Sequence, residues 1–178
     1  MRSIKNCAKH AKAGALFLSG IAAFVLQIPP ASAADFGMGV AFDASGNTVM
    51  VPIKMETMLI EPEIRFDTGT GTGSNSSSMS AGAGVYVRKG LGPLFESYTG
   101  GRVVYSTFKS TSGATDSKSN SFILAPTFGI QHFFSKQFSL GLDASLRYGN
   151  GKSTQTGQPD SHFHNWGTET RVLLRAFF

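Results

Sequence analysis

Beyond residue 33, apolar and polar positions alternate one by one through eight stretches: residues 35–43, 48–55, 58–68, 78–88, 95–108, 121–134, 138–149 and 165–178. A period of two puts successive side chains on opposite faces of an extended chain, so each stretch predicts a β-strand with one apolar face. In the last, Trp166, Thr168, Thr170, Val172, Leu174, Ala176 and Phe178 share a face without charge, and Glu169, Arg171 and Arg175 lie on the other. The seventh sets Phe138, Leu140, Leu142, Ala144 and Leu146 against Ser139, Gly141, Asp143, Ser145 and Arg147. In the third, Met58, Ile60, Pro62, Ile64 and Phe66 oppose Leu59, Glu61, Glu63, Arg65 and Asp67. The first and fourth follow the same rule, and the fifth alternates least cleanly. No segment repeats apolar residues at helical spacing, and Gly, Ser and Thr crowd the intervals, which predicts one all-β domain over residues 34–178.

Alternation alone fits two barrels, one soluble with its apolar face inward and one membrane-spanning with that face outward. Three features favour the second. Short connections at 55–57, 89–94 and 135–137 interleave with longer ones at 69–77, 109–120 and 150–164, as periplasmic turns and outer loops do. Only the opening connection, 44–47, is shorter than that scheme expects. The polar face is rich in glycine (Gly37, Gly39, Gly82, Gly84, Gly141), which relieves crowding inside a narrow barrel and serves no purpose on a solvated exterior. That face also carries both signs of charge. Glu61, Glu63, Arg65, Asp67, Arg88, Arg102, Asp143, Arg147, Glu169, Arg171 and Arg175 are expected to form an interior network, because an unpaired charge desolvated there is costly.

The third feature is aromatic spacing. Trp166 and Phe178 are separated by roughly 30 Å along a tilted strand, close to an apolar band of about 25 Å with its girdles. Phe95, Phe133, Phe134 and Phe138 cluster beside the short turns, and Tyr105, Phe122 and Tyr148 lie towards the other end. The expected architecture is an eight-stranded antiparallel up-and-down transmembrane β-barrel. Pro52, Pro62 and Pro126 fall inside its strands and remove ladder donors, so bulges or irregular ends are expected there.

Composition narrows the function. The chain has 178 residues and a formal net charge of +5, but Arg2, Lys5, Lys9 and Lys12 precede an apolar run at 13–26, then Pro29, Pro30 and the small residues Ala31 and Ala33. That order reads as a secretory signal peptide over residues 1–33, too short in its apolar part to remain as a spanning helix. Without it, 12 basic residues face 11 acidic ones, and the case for nucleic acid disappears. Cys7 is the only cysteine, so disulfides, cysteine-zinc sites and thiol nucleophiles are excluded beyond the leader.

The leader, the eight alternating segments, the stretch 124–141 (LAPTFGIQHFFSKQFSLG) and the ending Arg171-Val-Leu-Leu-Arg-Ala-Phe-Phe178 resemble the small outer-membrane β-barrel superfamily of Gram-negative bacteria, similar to the outer membrane protein A and X group. The resemblance spans residues 34–178. It implies a monomer in the outer membrane, among lipids and lipopolysaccharide, without cofactor. In that group a terminal aromatic preceded by alternating apolar residues is the recognition signal for the barrel-assembly machinery. Val172, Leu174, Ala176 and Phe178 match it, Ala176 being smaller than usual.

Candidate chemistry is sparse. His162 and His164 flank Phe163 near Asp160, where an ordinary polar loop outweighs a metal site. His132 and Ser135 lack the spacing and the carboxylate of a lipid-A deacylase pair, so His132 reads as an interface residue. The run Asp67-Thr-Gly-Thr-Gly-Thr-Gly73 has no following Lys-Ser/Thr and reads as an outer loop instead of a phosphate cradle. No catalytic or metal residue is expected. Two functions remain: a non-enzymatic anchor whose loops contact lipopolysaccharide, host or cell surfaces, or a narrow channel of low conductance for ions or small solutes.

Overall fold

Extended backbone is favoured wherever β-branched and aromatic side chains alternate with small or polar ones, because only the pleat sends the two sets to opposite sides. The computed structural model describes residues 34–178, and the signal peptide expected over 1–33 lies outside them. The described chain is β1 (Asp35–Asp43), β2 (Gly46–Met50), β3 (Ile53–Lys54), β4 (Met58–Gly71), β5 (Ser74–Gly90), β6 (Phe95–Ser112), β7 (Thr115–Phe133), β8 (Phe138–Gln155) and β9 (Ser161–Phe177). All neighbouring strands are antiparallel, and β1 closes the sheet on β9.

β2 and β3 are one stave. Both pair with β1 and both with β4, in registers that continue unchanged across the gap at Val51 and Pro52. The barrel therefore has eight staves, as the alternation predicts, with the second broken where proline removes a donor. The expected bulges do not form. Register is constant through Pro62 in the β4–β5 ladder and through Pro126 in β6–β7. In β7–β8 the ladder skips Ala125 and Pro126 and resumes in step. Deleting one amide donor costs one bond, whereas a bulge would turn every later side chain to the wrong face.

Closure fixes the barrel's width. Partners followed from Gly39 through Met50, Glu63, Gly82, Val104, Ile123 and Gly149 lead to Asn165, whereas Gly39 itself pairs with Arg175, ten residues along β9. Eight staves with that stagger tilt by about 40° and leave an interior that side chains fill.

The long loops expected at 69–77, 109–120 and 150–164 are largely strand. β4 and β5 stay paired to Gly71 and Ser74, β6 and β7 to Ser112 and Thr115, and β8 and β9 to Ser153 and Ser161. The first two hairpins turn tightly at Gly73 and Gly113, whose φ values of +76° and +56° suit a residue without a β-carbon. Serine and threonine alternate poorly in hydrophobicity yet pair readily along a ladder, which is why the pattern ends before the strands do. The run Asp67 to Gly73 is accordingly strand and turn.

Outside, the apolar face is bare. Leu140, Leu142, Leu146, Val172, Leu174, Phe128 and Ile130 all stand exposed, bounded by Phe66, Tyr105, Phe122 and Trp166 at one level and by Phe36, Phe95, Phe134, Phe138 and Phe178 at the other. Such a belt is unstable in water and stable in hydrocarbon. Phe133, expected in the lower girdle, is a correction: its odd parity turns it inward, where it is buried beside Phe177 at a ring separation of 6.2 Å.

Candidate functional site

Inward positions fall in three tiers. At the end of the barrel that holds Ala34 and Phe178, Lys54 lies over the rings of Phe133 and Phe177, 4.4 and 5.4 Å from their centroids. Glu96 accepts from Arg88 at 2.5 and 3.0 Å and from Gln131 at 2.8 Å, with Lys54 4.0 Å away. Arg88 also donates to the carbonyl of Met55, tying the network to the turn between β3 and β4. Together these groups close that end with aromatic rings and paired charge.

The middle tier holds the largest buried side chains. Arg175 grips Glu61 with two bonds of 2.6 and 2.9 Å, donates to Gln131 at 3.0 Å and stacks over Tyr98. Arg171, wholly buried, grips Asp143 at 2.6 and 3.0 Å and reaches Glu63 at 3.0 Å. Glu63 also accepts from Arg102 at 3.1 Å, and Arg102 donates onward to Glu169. Paired forks of this kind satisfy both carboxylate oxygens, which is the condition for carrying charge away from water.

Glycine makes room for the tier's rings. A β-carbon on Gly129 would overlap the ring of Tyr98, its cross-strand partner, and one on Gly84 would overlap Tyr86. Tyr86 and Tyr98 meet edge to face at 5.4 Å. Gly84 and Gly129 are thus sockets for specific rings, and Gly151 serves Phe163 in the same way, whereas Gly37, Gly39 and Gly82 lie closest to a neighbouring strand's carbonyl and Gly141 to the Arg175 guanidinium.

The third tier, towards the hairpins, is open. Arg65 bonds Asp67 at 2.6 Å, Asp43 at 3.3 Å and the Ser45 hydroxyl at 2.8 Å. Behind this cluster is a cavity of about 250 Å³ bordered by Ser78, Ser80, Arg102, Ser106, Arg147 and Glu169, among others. A second hollow of about 230 Å³ adjoins it at Ser106, Ile123 and Arg147.

Glu61, Glu63, Arg65, Asp67, Arg88, Arg102, Asp143, Arg147, Glu169, Arg171 and Arg175 therefore all lie within this paired interior. Asp43, Lys54, Glu96 and Gln131 join them without having been singled out. Parity could have found Asp43, which follows Gly37, Gly39 and Ala41, whereas Glu96 sits in the stretch that alternates least cleanly. Seven carboxylates and seven cations take part, so the interior pairs to neutrality. Val172 and Leu174 face outward, Ala176 is half-buried, and Phe178 stands exposed at the rim.

His132 packs on the outer face against Phe95 and Phe134, ring centroids 4.5 and 4.9 Å apart, and the Ser135 hydroxyl accepts from its own turn. His164 bonds the Tyr148 hydroxyl at 3.1 Å, and Asp160 pairs with Lys152. Among the described residues no three His, Cys, Asp or Glu side chains are disposed to hold a metal.

No protein-family model matches the sequence, and no curated protein matches it. Among the solved structures that share its fold are two outer-surface proteins of bacteria. Neisserial surface protein A superposes with a TM-score of 0.53 at 17% identity, over 82% of this chain and 94% of that one. A major outer membrane protein from Thermus thermophilus gives 0.55 at 13% identity, over 83% of this chain and all of that one. At such identities the likeness concerns the fold, and the fold is that of the small eight-stranded outer-membrane barrels.

Proposed function

We propose that the chain is an integral outer-membrane protein whose barrel is an anchor and whose hairpins are presented outside, serving envelope structure, surface contact or adhesion, without catalysis. The observation that carries this reading is the pairing of opposite surfaces: an uncharged apolar belt outside and a neutral, ion-paired lumen inside, filled across its middle by Arg171 and Arg175. The belt meets the hydrocarbon of lipid and lipopolysaccharide. The termini are assigned to the periplasm, since at that end the chain turns directly beside the girdle, at 91–94 and 134–137 next to Phe95 and Phe138, whereas at the other end the hairpins run on past Tyr105 and Phe122 to Ser112 and Thr115. The alternative, a narrow channel, has its path crossed by Arg171 and Arg175, each wholly or almost wholly buried and gripped on several sides.

Planar-bilayer recording of the refolded chain tests the choice. Silent membranes are expected, and a steady open state would overturn the anchor reading. The same proposal takes Val172, Leu174, Ala176 and Phe178 as the signal read by the barrel-assembly machinery. It is supported by the exposure of Phe178 at the rim, where its amide donates to Phe36 at 2.8 Å. Removing Phe178 should lower outer-membrane levels of the protein, and unchanged levels would refute that role.

A further inference from the structure

The barrel wall has a gap above the β1–β2 hairpin. β1 and β2 turn back at Asp43 and Gly46, and β1 meets β9 only from Gly37 to Phe42. β4 beyond Ile64 and β9 above Val172 run on, each paired on one side only, with β5 and β8. Among the described residues β4 and β9 do not pair with each other, so two sheet edges stand open across a notch. The backbone bonds show which groups face it. The Phe178 amide donates to Phe36 on the β1 side at 2.8 Å, and the Phe177 amide to Gln137 on the β8 side at 2.7 Å. Even-numbered residues of β9 therefore turn amide and carbonyl towards the notch: His162, His164, Trp166, Thr168 and Thr170. On β4 the Pro62 carbonyl accepts from Val51, and the same parity aims Thr68 and Thr70 into the notch from its other side.

An open edge of this length invites another strand, and sheets that must stay alone blunt theirs with lysine, proline or a bulge. Residues 161–170 (SHFHNWGTET) hold no lysine or proline, and the β8–β9 register runs through them unbroken. All but Phe163 and Glu169 are exposed, Trp166 to 70%. Width and direction specify the occupant. Lower down, the space between β9 and β4 is filled by two staves, β1 and the β2–β3 pair. β4 runs towards the hairpin end and β9 away from it, so two strands antiparallel to these edges are antiparallel to each other. That arrangement is a β-hairpin entering tip first, and a single strand would leave one edge open.

We propose that the notch is a docking site for a β-hairpin of a partner polypeptide, which pairs with β9 on one side and β4 on the other and continues the wall above Asp43 and Gly46. The surroundings set its chemistry. Outward residues of the hairpin lie beside Trp166 and His164, which suits tyrosine or valine. Inward residues cover the cavity at Ser45, Arg65 and Asp67, which suits serine or threonine. The site names the partner for the surface contact proposed above and rests on that reading for the hairpin end lying outside.

Residue-resolved amide hydrogen exchange of the full chain folded in detergent tests the site. In the free protein the even amides from His162 to Thr170 should exchange at least about tenfold faster than the odd ones from Phe163 to Glu169, which bond β8. The probe is a backbone-cyclised hairpin peptide with an Asn-Gly tip, tyrosine and valine on one face and serine and threonine on the other. At millimolar concentration it should slow the even amides of β9, and those of Thr68 and Thr70, by at least about tenfold. The same peptide N-methylated along both edges should not. His164→Pro combined with Thr168→Pro removes two donors from the open edge and none of the amide bonds to β8. It should keep the heat-dependent gel migration and weaken peptide binding at least about tenfold. Should that variant fail to fold, the methylated peptide decides alone. Equal rates at odd and even positions, protection by the methylated peptide, or none by the probe would each overturn the site. Protection confined to β9 would replace the hairpin by a single strand, and even amides slowed by the protein's own concentration would replace it by a second copy. Either result overturns the proposal. A steady conductance would refute the anchor reading and leave the exchange pattern standing.

Discussion

From Trp166, Tyr148 and Phe122 down to Phe178 and Phe138, the staves send uncharged, mostly apolar groups outward, and the charged groups turn inward among glycines and buried rings. Beyond that ring the same strands continue mainly as Ser, Thr, Asn and Gly, with scattered charges such as Lys109, Lys118 and Lys152. The backbone ladder does not register the difference, since β6 and β7 stay paired in one register from Phe95 and His132 to Ser112 and Thr115. What changes is the surroundings. Hydrocarbon outside and a desolvated lumen inside make each side chain's face consequential in the lower half. In the upper half water meets both faces, and a residue can be exchanged for its neighbour at little cost. The lower half is specified by side chains, and the upper half by the ladder and by the glycines at its turns.

The sharpest way to separate the halves is to leave a charge alone in the lower one. Arg171→Met would strand Asp143 and half of Glu63 in a site without water, a loss of about 3–5 kcal/mol. Urea titration of the protein refolded in lipid vesicles reads it. Thr111→Met, on the upper ladder, should change the same midpoint by less than about 0.5 kcal/mol. Similar shifts for the two would dissolve the distinction.

A charge on the outer wall is the next largest test. Leu142→Arg, in the belt opposite Ile130 and Val172, should weaken assembly by roughly 2–4 kcal/mol. Thr154→Arg, on the upper part of the same strand, should be neutral. The readout is the fraction that migrates compactly before boiling. Failure of both would mean that the membrane reaches higher than the girdle of Trp166 and Tyr148.

Packing comes third. Gly129→Ala places a methyl group where the Tyr98 ring lies, and the over-filled socket should cost about 1–3 kcal/mol in the same urea titration. The double change Gly129→Ala with Tyr98→Ala should recover part of that loss, because the second substitution removes the ring that the methyl displaces. No recovery would mean that the glycine serves the backbone instead of the ring.

How far the sequence reveals these features follows the same division. Parity alone places Glu61, Glu63, Asp143, Arg171 and Arg175 on one face, because a strand has only two and the belt claims the other. It cannot reveal that Arg171 spans to Asp143 on the neighbouring β8 and also to Glu63 on β4, since reach across a lumen depends on the ten-residue stagger, which sums every register in the barrel. Phe133 misleads for a related reason. Aromatics beside a short turn suit a girdle, but its position is odd in a strand whose outward residues, Phe128, Ile130 and His132, are even. The long loops mislead because hydrophobic alternation stops at the edge of the membrane while hydrogen bonding does not. Conversely, the unpartnered Nε of Arg102 leaves no trace in the sequence, where Arg102 looks like any other inward arginine.

The smallest expected effect probes the upper half on its own terms. Lys109 faces Lys118 across β6 and β7, and Gly113 turns the chain above them. Deleting residues 109–118 and joining the strands through Asn-Gly would shorten that hairpin well above the Tyr105 and Phe122 girdle. If the upper ladder only rests on the lower half, the shortened protein should keep its heat-dependent gel migration and lose at most about 0.5 kcal/mol, since no buried group is exposed. Each of the pairs given up is polar and none of its residues is buried, and its backbone bonds are exchanged for bonds to solvent at nearly equal free energy. A large loss would show that the hairpins help to fix register in the belt below, as a zipper started from the turn would do, and the two halves would then be one cooperative unit.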